Sequence, residues 1–154
     1  MKDNRVLYPF LTGADHLNYI RSMQKLPKNR VEEVVDLVSI HSFVKRKVET
    51  YSLGMKQSLL IAMALLNNPK LMILDEPFNG LDPSRIVQTR RILLDHARKG
   101  AAILLSSHNL MEMEKLTKEF LFLKDGKIIE YREEEGERRA EEYYLKLFPL
   151  LSES

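Results

Sequence analysis

The chain has 154 residues, 44% of them hydrophobic, which suits one domain with a packed core. Its 24 Lys and Arg against 22 Asp and Glu leave a formal net charge of +2, too balanced for a nucleic-acid or membrane-surface footprint, and nucleic acid is not expected as a partner. The lack of any cysteine excludes disulfides, thiolate catalysis and Cys-ligated zinc.

The longest apolar run, Leu59 to Leu66, falls far short of the ~18 residues of a membrane span. Met1 to Arg5 leads into no signal-peptide core. The expectation is a soluble chain whose membrane partner is a separate polypeptide.

Residues 6–50 read as helical. Thr12 followed by Asp15 forms a capping-box pattern ahead of Leu17, Ile20 and Met23, and Pro27 interrupts that helix. Val31, Val34, Val35 and Val38 recur at helical spacing, predicting a second helix from about Asn29 to Ser39 whose apolar face needs a partner. Lys45, Arg46 and Lys47 read as a solvated loop.

Tyr51-Ser52-Leu53-Gly54-Met55-Lys56-Gln57 follows, and Ser52 is a suitable N-cap for a helix that closes at Asn67-Asn68-Pro69. A helix start carries unsatisfied N–H groups and the positive end of the dipole. Gly54, with no side chain, leaves room there for an anion. An ordinary serine-capped core helix is the alternative reading of the same residues.

Leu71-Met72-Ile73-Leu74-Asp75-Glu76-Pro77 is an apolar run ending in two carboxylates. Such a run predicts a strand covered on both faces, with Asp75 and Glu76 at the carboxyl end where parallel sheets bind ligands. Pro77 ends the strand and biases Glu76 toward an extended conformation. After Phe78-Asn79-Gly80-Leu81, Asp82 can cap a helix beginning at Pro83, carrying Ile86, Leu93, Leu94 and Ala97, and ending at Gly100.

A second apolar strand, Ala101 to Leu105, ends in Ser106-Ser107-His108-Asn109. A helix over 110–118, strands flanking the Asp125-Gly126 turn, and an amphipathic helix marked by Ala140, Tyr143, Tyr144, Leu147 and Phe148 complete the reading. The composition turns sharply charged from Glu133, and Gly136 blurs where the last helix starts. His16, His41 and His96 read as packing or surface residues.

Three signals stand in one order: a Ser-Gly helix start, an apolar strand ending Asp-Glu, and a later strand ending in His. From about Tyr8 to Tyr131 the chain resembles the ATP-binding cassette (ABC) ATPases. Tyr51 to Met55 resembles the signature motif, Leu71 to Glu76 the Walker B strand, Asn79 to Asp82 the D-loop, and His108 the switch histidine. The form Tyr-Ser-x-Gly-Met-Lys-Gln is most similar to the bacterial exporter branch of antibiotic-resistance and lantibiotic-immunity transporters.

The resemblance implies an α/β, P-loop NTPase-like fold: a helical subdomain with the signature over 6–68, a mostly parallel core over 69–131, and a C-terminal helix within 132–154. It implies ATP and Mg²⁺ as cofactors. Asp75 would hold Mg²⁺ through water, Glu76 would activate the attacking water, and His108 would contact the γ-phosphate. Ser52 and Gly54 would bind the ATP of an opposite ABC ATPase subunit, with Asp82 at that interface. A transmembrane permease is the further expected partner, and the inner face of the cell membrane the expected location.

The family's G-x-x-x-x-G-K-[ST] phosphate loop does not occur in these residues. The order of the motifs implies an incomplete ABC ATPase domain, its C-terminal portion, expected to have exposed sheet edges and to be inactive alone unless the loop is supplied elsewhere. The alternative is a non-catalytic module that lends Ser52 and Gly54 to an intact partner. A DNA-repair or translation ATPase is disfavoured by the lack of a coiled-coil insertion or basic surface. Leu53, Met55, Ser58 and Phe78 depart from the commoner family residues without removing a group that performs chemistry.

Overall fold

A computed structural model describes residues 6–132 and 140–149. Met1 to Arg5, the charged run from Glu133 and Gly136 lie outside the described residues. The chain forms two compact units, one reaching to Ser106 and one beginning at Ser107.

In the first unit, α1 (Gly13–Met23) starts from the expected capping box. The Asp15 amide donates to Thr12 Oγ1 at 3.1 Å while the Thr12 amide donates to Asp15 Oδ2 at 2.9 Å, so each end satisfies an orphan backbone donor of the other. The Thr12 hydroxyl, and then its backbone N–H, hold the Asp15 carboxyl below its ordinary value of 3.8. A native value lower than the unfolded one means the carboxylate stabilises the fold above the unfolded value, and that this contribution drains away as pH falls through the native one. Thermal melts between ~pH 5 and ~pH 2 should therefore show a loss of stability that Asp15→Asn flattens. Identical slopes in both proteins would remove Asp15 from this account.

Helix α2 (Arg30–Val38) buries Val34, Val35 and Val38, the apolar face that its spacing required. Helix α3 (Leu53–Leu65) begins at the expected cap, the Met55 amide donating to Ser52 Oγ at 3.2 Å. The Arg30 guanidinium donates to the Leu65 and Leu66 carbonyls at 2.9 and 2.8 Å, satisfying acceptors that the end of α3 leaves open. Leu17, Val34, Ile40, Leu59 and Leu66 are fully buried and form the centre of this helical layer. Lys45, Arg46 and Lys47 are exposed, as read from the sequence.

Strand β1 (Leu71–Asp75), helix α4 (Pro83–Arg98) and strand β2 (Ala102–Ser106) follow, the two strands pairing in parallel from Leu71↔Ala102 to Asp75↔Ser106. The run was expected to be covered on both faces. Instead Met72 is buried while Leu71 is 58% and Ile73 73% exposed, and Leu104 of β2 is exposed beside them. Coverage of both faces needs helices on both sides of a sheet, and among the described residues the β1–β2 pair carries an apolar face open to solvent.

Helix α4 has Asp82 as N-cap, Pro83 at its first position, and Gly100 at φ +94 just past its end. Its buried face comprises Thr89, Ile92, Leu93 and His96, whereas of the apolar positions read from spacing Ala97 is exposed. His96 can occupy that face because its Nε2 bonds the Pro69 carbonyl at 2.7 Å. His16 is likewise a packing residue, accepting the Tyr8 amide at 2.9 Å and bonding the Thr12 carbonyl at 2.8 Å.

The second unit contains α5 (Leu110–Glu114), shorter than the helix expected over 110–118, and the antiparallel hairpin of β3 (Glu119–Lys124) and β4 (Lys127–Arg132). Asp125 and Gly126, at φ +51 and +73, supply the two left-handed positions that a tight hairpin turn demands. Helix α6 (Ala140–Leu147) packs on the hairpin through Tyr143, whose ring lies 4.5 Å from that of Tyr131 and 5.7 Å from that of Phe122. Lys124 Nζ donates to the Leu147 carbonyl at 2.6 Å.

Candidate functional site

The carboxyl ends of β1 and β2 place Asp75 directly beside Ser106 in register. The Ser106 hydroxyl donates to Asp75 Oδ1, fixing one carboxylate oxygen at the exposed strand end. The next peptide turns back on itself: the Glu76 amide donates to both the carbonyl and the hydroxyl oxygen of Ser106, each at 3.2 Å. One serine thus organises the backbone or side chain of both candidate acids. Sequence reading recognised Ser106 only as a polar strand end, and the register with Asp75 is the signal that marks its role.

Glu76 is not extended. It sits at φ +48, a left-handed conformation that is costly for a residue with a side chain. The preference imposed by Pro77 is local, whereas the Glu76 amide is held by Ser106 and its carbonyl accepts the Asn79 amide at 3.1 Å, closing a turn. These bonds outweigh the local preference, and Pro77 and Phe78 are buried, which anchors the turn in the core. A non-glycine residue in this region persists where the surroundings over-determine it, and such positions concentrate at functional sites.

The signature turn lies against the same loop. A Cβ on Gly54 would stand 2.6 Å from the Gly80 carbonyl oxygen, and one on Gly80 would stand 2.6 Å from Leu53 Cδ2. Sequence reading gave Gly54 to close approach of an anion. The structure adds that the D-loop backbone itself occupies the space of the missing side chain. Gly80 is at φ +74, so it meets both a steric and a conformational demand for glycine. Ser58, where the family commonly has Arg, is buried and donates to the Gly54 carbonyl at 2.9 Å.

Ser52 and Asp82 are both exposed helix caps: Asp82 Oδ1 accepts the Arg85 amide at 3.0 Å, as Ser52 Oγ accepts that of Met55. A hydroxyl that accepts an amide in this way has a proton of its own to donate, and the dipole and first-turn amides at the N-terminus of α3 favour negative charge there. Gln57, in the second turn of α3, reaches the loop that follows β1, a link that no feature of the sequence announced.

Ser52, Gly54, Asp75, Glu76 and Asp82 therefore share the first unit, bound into one network of turns. His108 lies in the second unit, exposed, two residues before α5 and next to Asn109, whose side chain caps that helix. Among the described residues no group of three or more His, Asp or Glu is arranged to hold a metal ion. Magnesium typically takes one or two protein carboxylates together with phosphate oxygens and water. The single Asp75 carboxylate, held at a strand end by Ser106, fits a site of that kind rather than a dedicated protein cage.

No helix among the described residues is long and apolar enough to cross a membrane. The ABC transporter family model matches residues 1–79, which contain the signature turn and the acidic strand end. The chain is 42% identical over 134 residues to the uncharacterized ABC transporter ATP-binding protein YhcH of Bacillus subtilis, covering 83% of this chain and 43% of that protein. It is 39% identical over 138 residues to the lantibiotic transport ATP-binding protein SrtF of Streptococcus pyogenes, covering 90% of this chain and 60% of that one. It thus spans about half the length of these relatives. A solved structure of an ATP-binding subunit of an ABC transporter superposes with a TM-score of 0.82 at 29% identity, over 92% of this chain and 64% of that one. With the family's helix-capped signature turn, its acid-ended strand and its D-loop joined in one network, the chain belongs to the ABC transporter ATPase family.

Proposed function

We propose that this chain is the signature- and acid-bearing part of an ATPase that powers export of a peptide or small molecule through a separate transmembrane permease, at the cytoplasmic face of a bacterial membrane. The observation that carries the reading is the arrangement at Glu76: a carboxylate-bearing residue held in a left-handed turn at the end of a parallel strand, against the start of a helix whose N-terminal residues are Ser52 and Gly54. The likeness to a lantibiotic transport protein supports the exporter branch.

In this reading ATP is held between two subunits. Ser52 and Gly54 donate to the γ-phosphate of ATP on the opposite subunit, and Asp82 faces the interface. Asp75 would hold Mg²⁺ through water, and the ion would supply charge neutralisation at the phosphates. Glu76 accepts the proton of the attacking water, and His108 contacts the γ-phosphate. These residues include no phosphate loop, so a loop from elsewhere supplies most contacts to the triphosphate. The same observation favours a second reading, in which the chain lends Ser52 and Gly54 to an intact partner without turnover at Glu76.

The test is phosphate release by the purified chain, alone and mixed with a phosphate-loop-bearing fragment that completes its own half of the site. Turnover is expected only in the mixture, and Ser52→Ala should reduce it by tenfold or more, about the loss of a charge-assisted hydrogen bond to phosphate. Hydrolysis by the chain alone would overturn the dependence on an external loop. Turnover in the mixture that survives loss of Glu76 would favour the lending module.

A further inference from the structure

Gln57 stands outside the residues given a chemical role above, yet it bridges two of their elements. Its Nε2 donates to the Pro77 carbonyl at 3.1 Å and lies 3.5 Å from the Glu76 carbonyl, so one amide group spans the two consecutive peptide units on either side of Pro77. It does so from the second turn of the helix that Ser52 caps. The side chain is half-buried, which protects these bonds from competition by water.

The geometry points to Gln57 as a positioning residue that holds the Glu76 turn in its left-handed conformation and ties its placement to the anion-facing start of α3. The inference rests on the proposed role of Glu76 and adds how its orientation is set. Two contacts make the tie stiff. Gly54 abuts the Gly80 carbonyl on one side of the loop, and Gln57 grips the Pro77 carbonyl on the other. A helix moves as a rigid body over two turns, so a displacement at Ser52 carries Gln57 and the peptide it holds. Ser106 fixes the peptide that precedes Glu76, through the Glu76 amide.

The variant Gln57→Met keeps volume and loses the donor, while Gln57→Glu keeps shape and turns the donor into an acceptor facing carbonyls. Amide hydrogen exchange is measured on the full chain. In Gln57→Met, the Glu76 and Asn79 amides should exchange about tenfold faster, the effect of one lost hydrogen bond on a local opening, while the amides of Leu59 to Leu65 are unchanged. In the mixture with the phosphate-loop-bearing fragment that completes this chain's half of the site, kcat should fall about tenfold with KM for ATP within about twofold, and more steeply for Gln57→Glu. Loss spread evenly over exchange throughout α3, or unchanged exchange at Glu76 and Asn79, overturns the inference, as does an unchanged kcat. If the mixture with the unsubstituted chain shows no turnover, the functional reading fails, and exchange at Glu76 and Asn79 still decides whether Gln57 holds the turn.

Discussion

Glu76→Gln is expected to lower ATP turnover by at least about 10²-fold in a dimer in which a phosphate-loop-bearing fragment completes this chain's own half of the site, with ATP still bound. Glutamine matches glutamate in shape, so the left-handed turn, the bonds of the Glu76 amide to Ser106 and the carbonyl bond from Asn79 are all retained. What disappears is a carboxylate able to accept a proton from water. The experiment follows phosphate release and the fraction of nucleotide retained after rapid gel filtration. Turnover close to that of the parent would remove Glu76 as the base.

Gly54→Ala is the largest expected change in stability. Alanine is intrinsically the better helix residue by up to ~1 kcal/mol, so on propensity alone the substitution would help. The new methyl, however, falls 2.6 Å from the Gly80 carbonyl oxygen, a backbone atom. Gly80 is itself pinned by the Leu53 side chain and by its positive φ, so it has little room to retreat. Forcing extra volume into such a site costs ~1–3 kcal/mol, which exceeds the propensity gain. The midpoint of thermal unfolding should fall by several degrees, at roughly 2–4 °C per kcal/mol for a chain of this size. Combining it with Leu53→Ala, which frees Gly80 on its far side, should recover part of the loss. An unchanged or raised midpoint in Gly54→Ala, or strictly additive losses in the pair, would show that the two turns are not interlocked.

Local chemistry made much of this protein legible. Thr12 and Asp15, Ser52, and Asp82 with Pro83 marked helix starts because capping is settled within four residues. The Asp125-Gly126 turn was readable because few residue pairs tolerate two left-handed positions. Asp75 and Glu76 stood out as candidate acids only in company: an apolar run ending in Asp-Glu can occur in any α/β protein, and it was the Ser52-Gly54 helix start and the later strand ending in His108 that set this one apart. Less legible was which way a face points. Leu71 and Ile73 read as buried, but burial depends on what lies across the sheet, a fact of tertiary arrangement that a run of apolar letters does not contain. The buried face of α4 includes His96, because a distant carbonyl, that of Pro69, satisfies it.

The sequence by itself determined the family, the helix starts and the residue types available for chemistry, all carried by short spans of neighbouring residues. Only the tertiary structure decided the conformation of Glu76, the reason for Gly54 and the roles of Ser106 and Gln57. Each of these depends on a partner distant along the chain: Ser106 for Glu76, Gly80 for Gly54, Asp75 for Ser106, and Pro77 for Gln57. Contacts of that kind form when the strands pair and α3 packs against the loop, and they can override a local preference as direct as the one proline imposes on the residue before it.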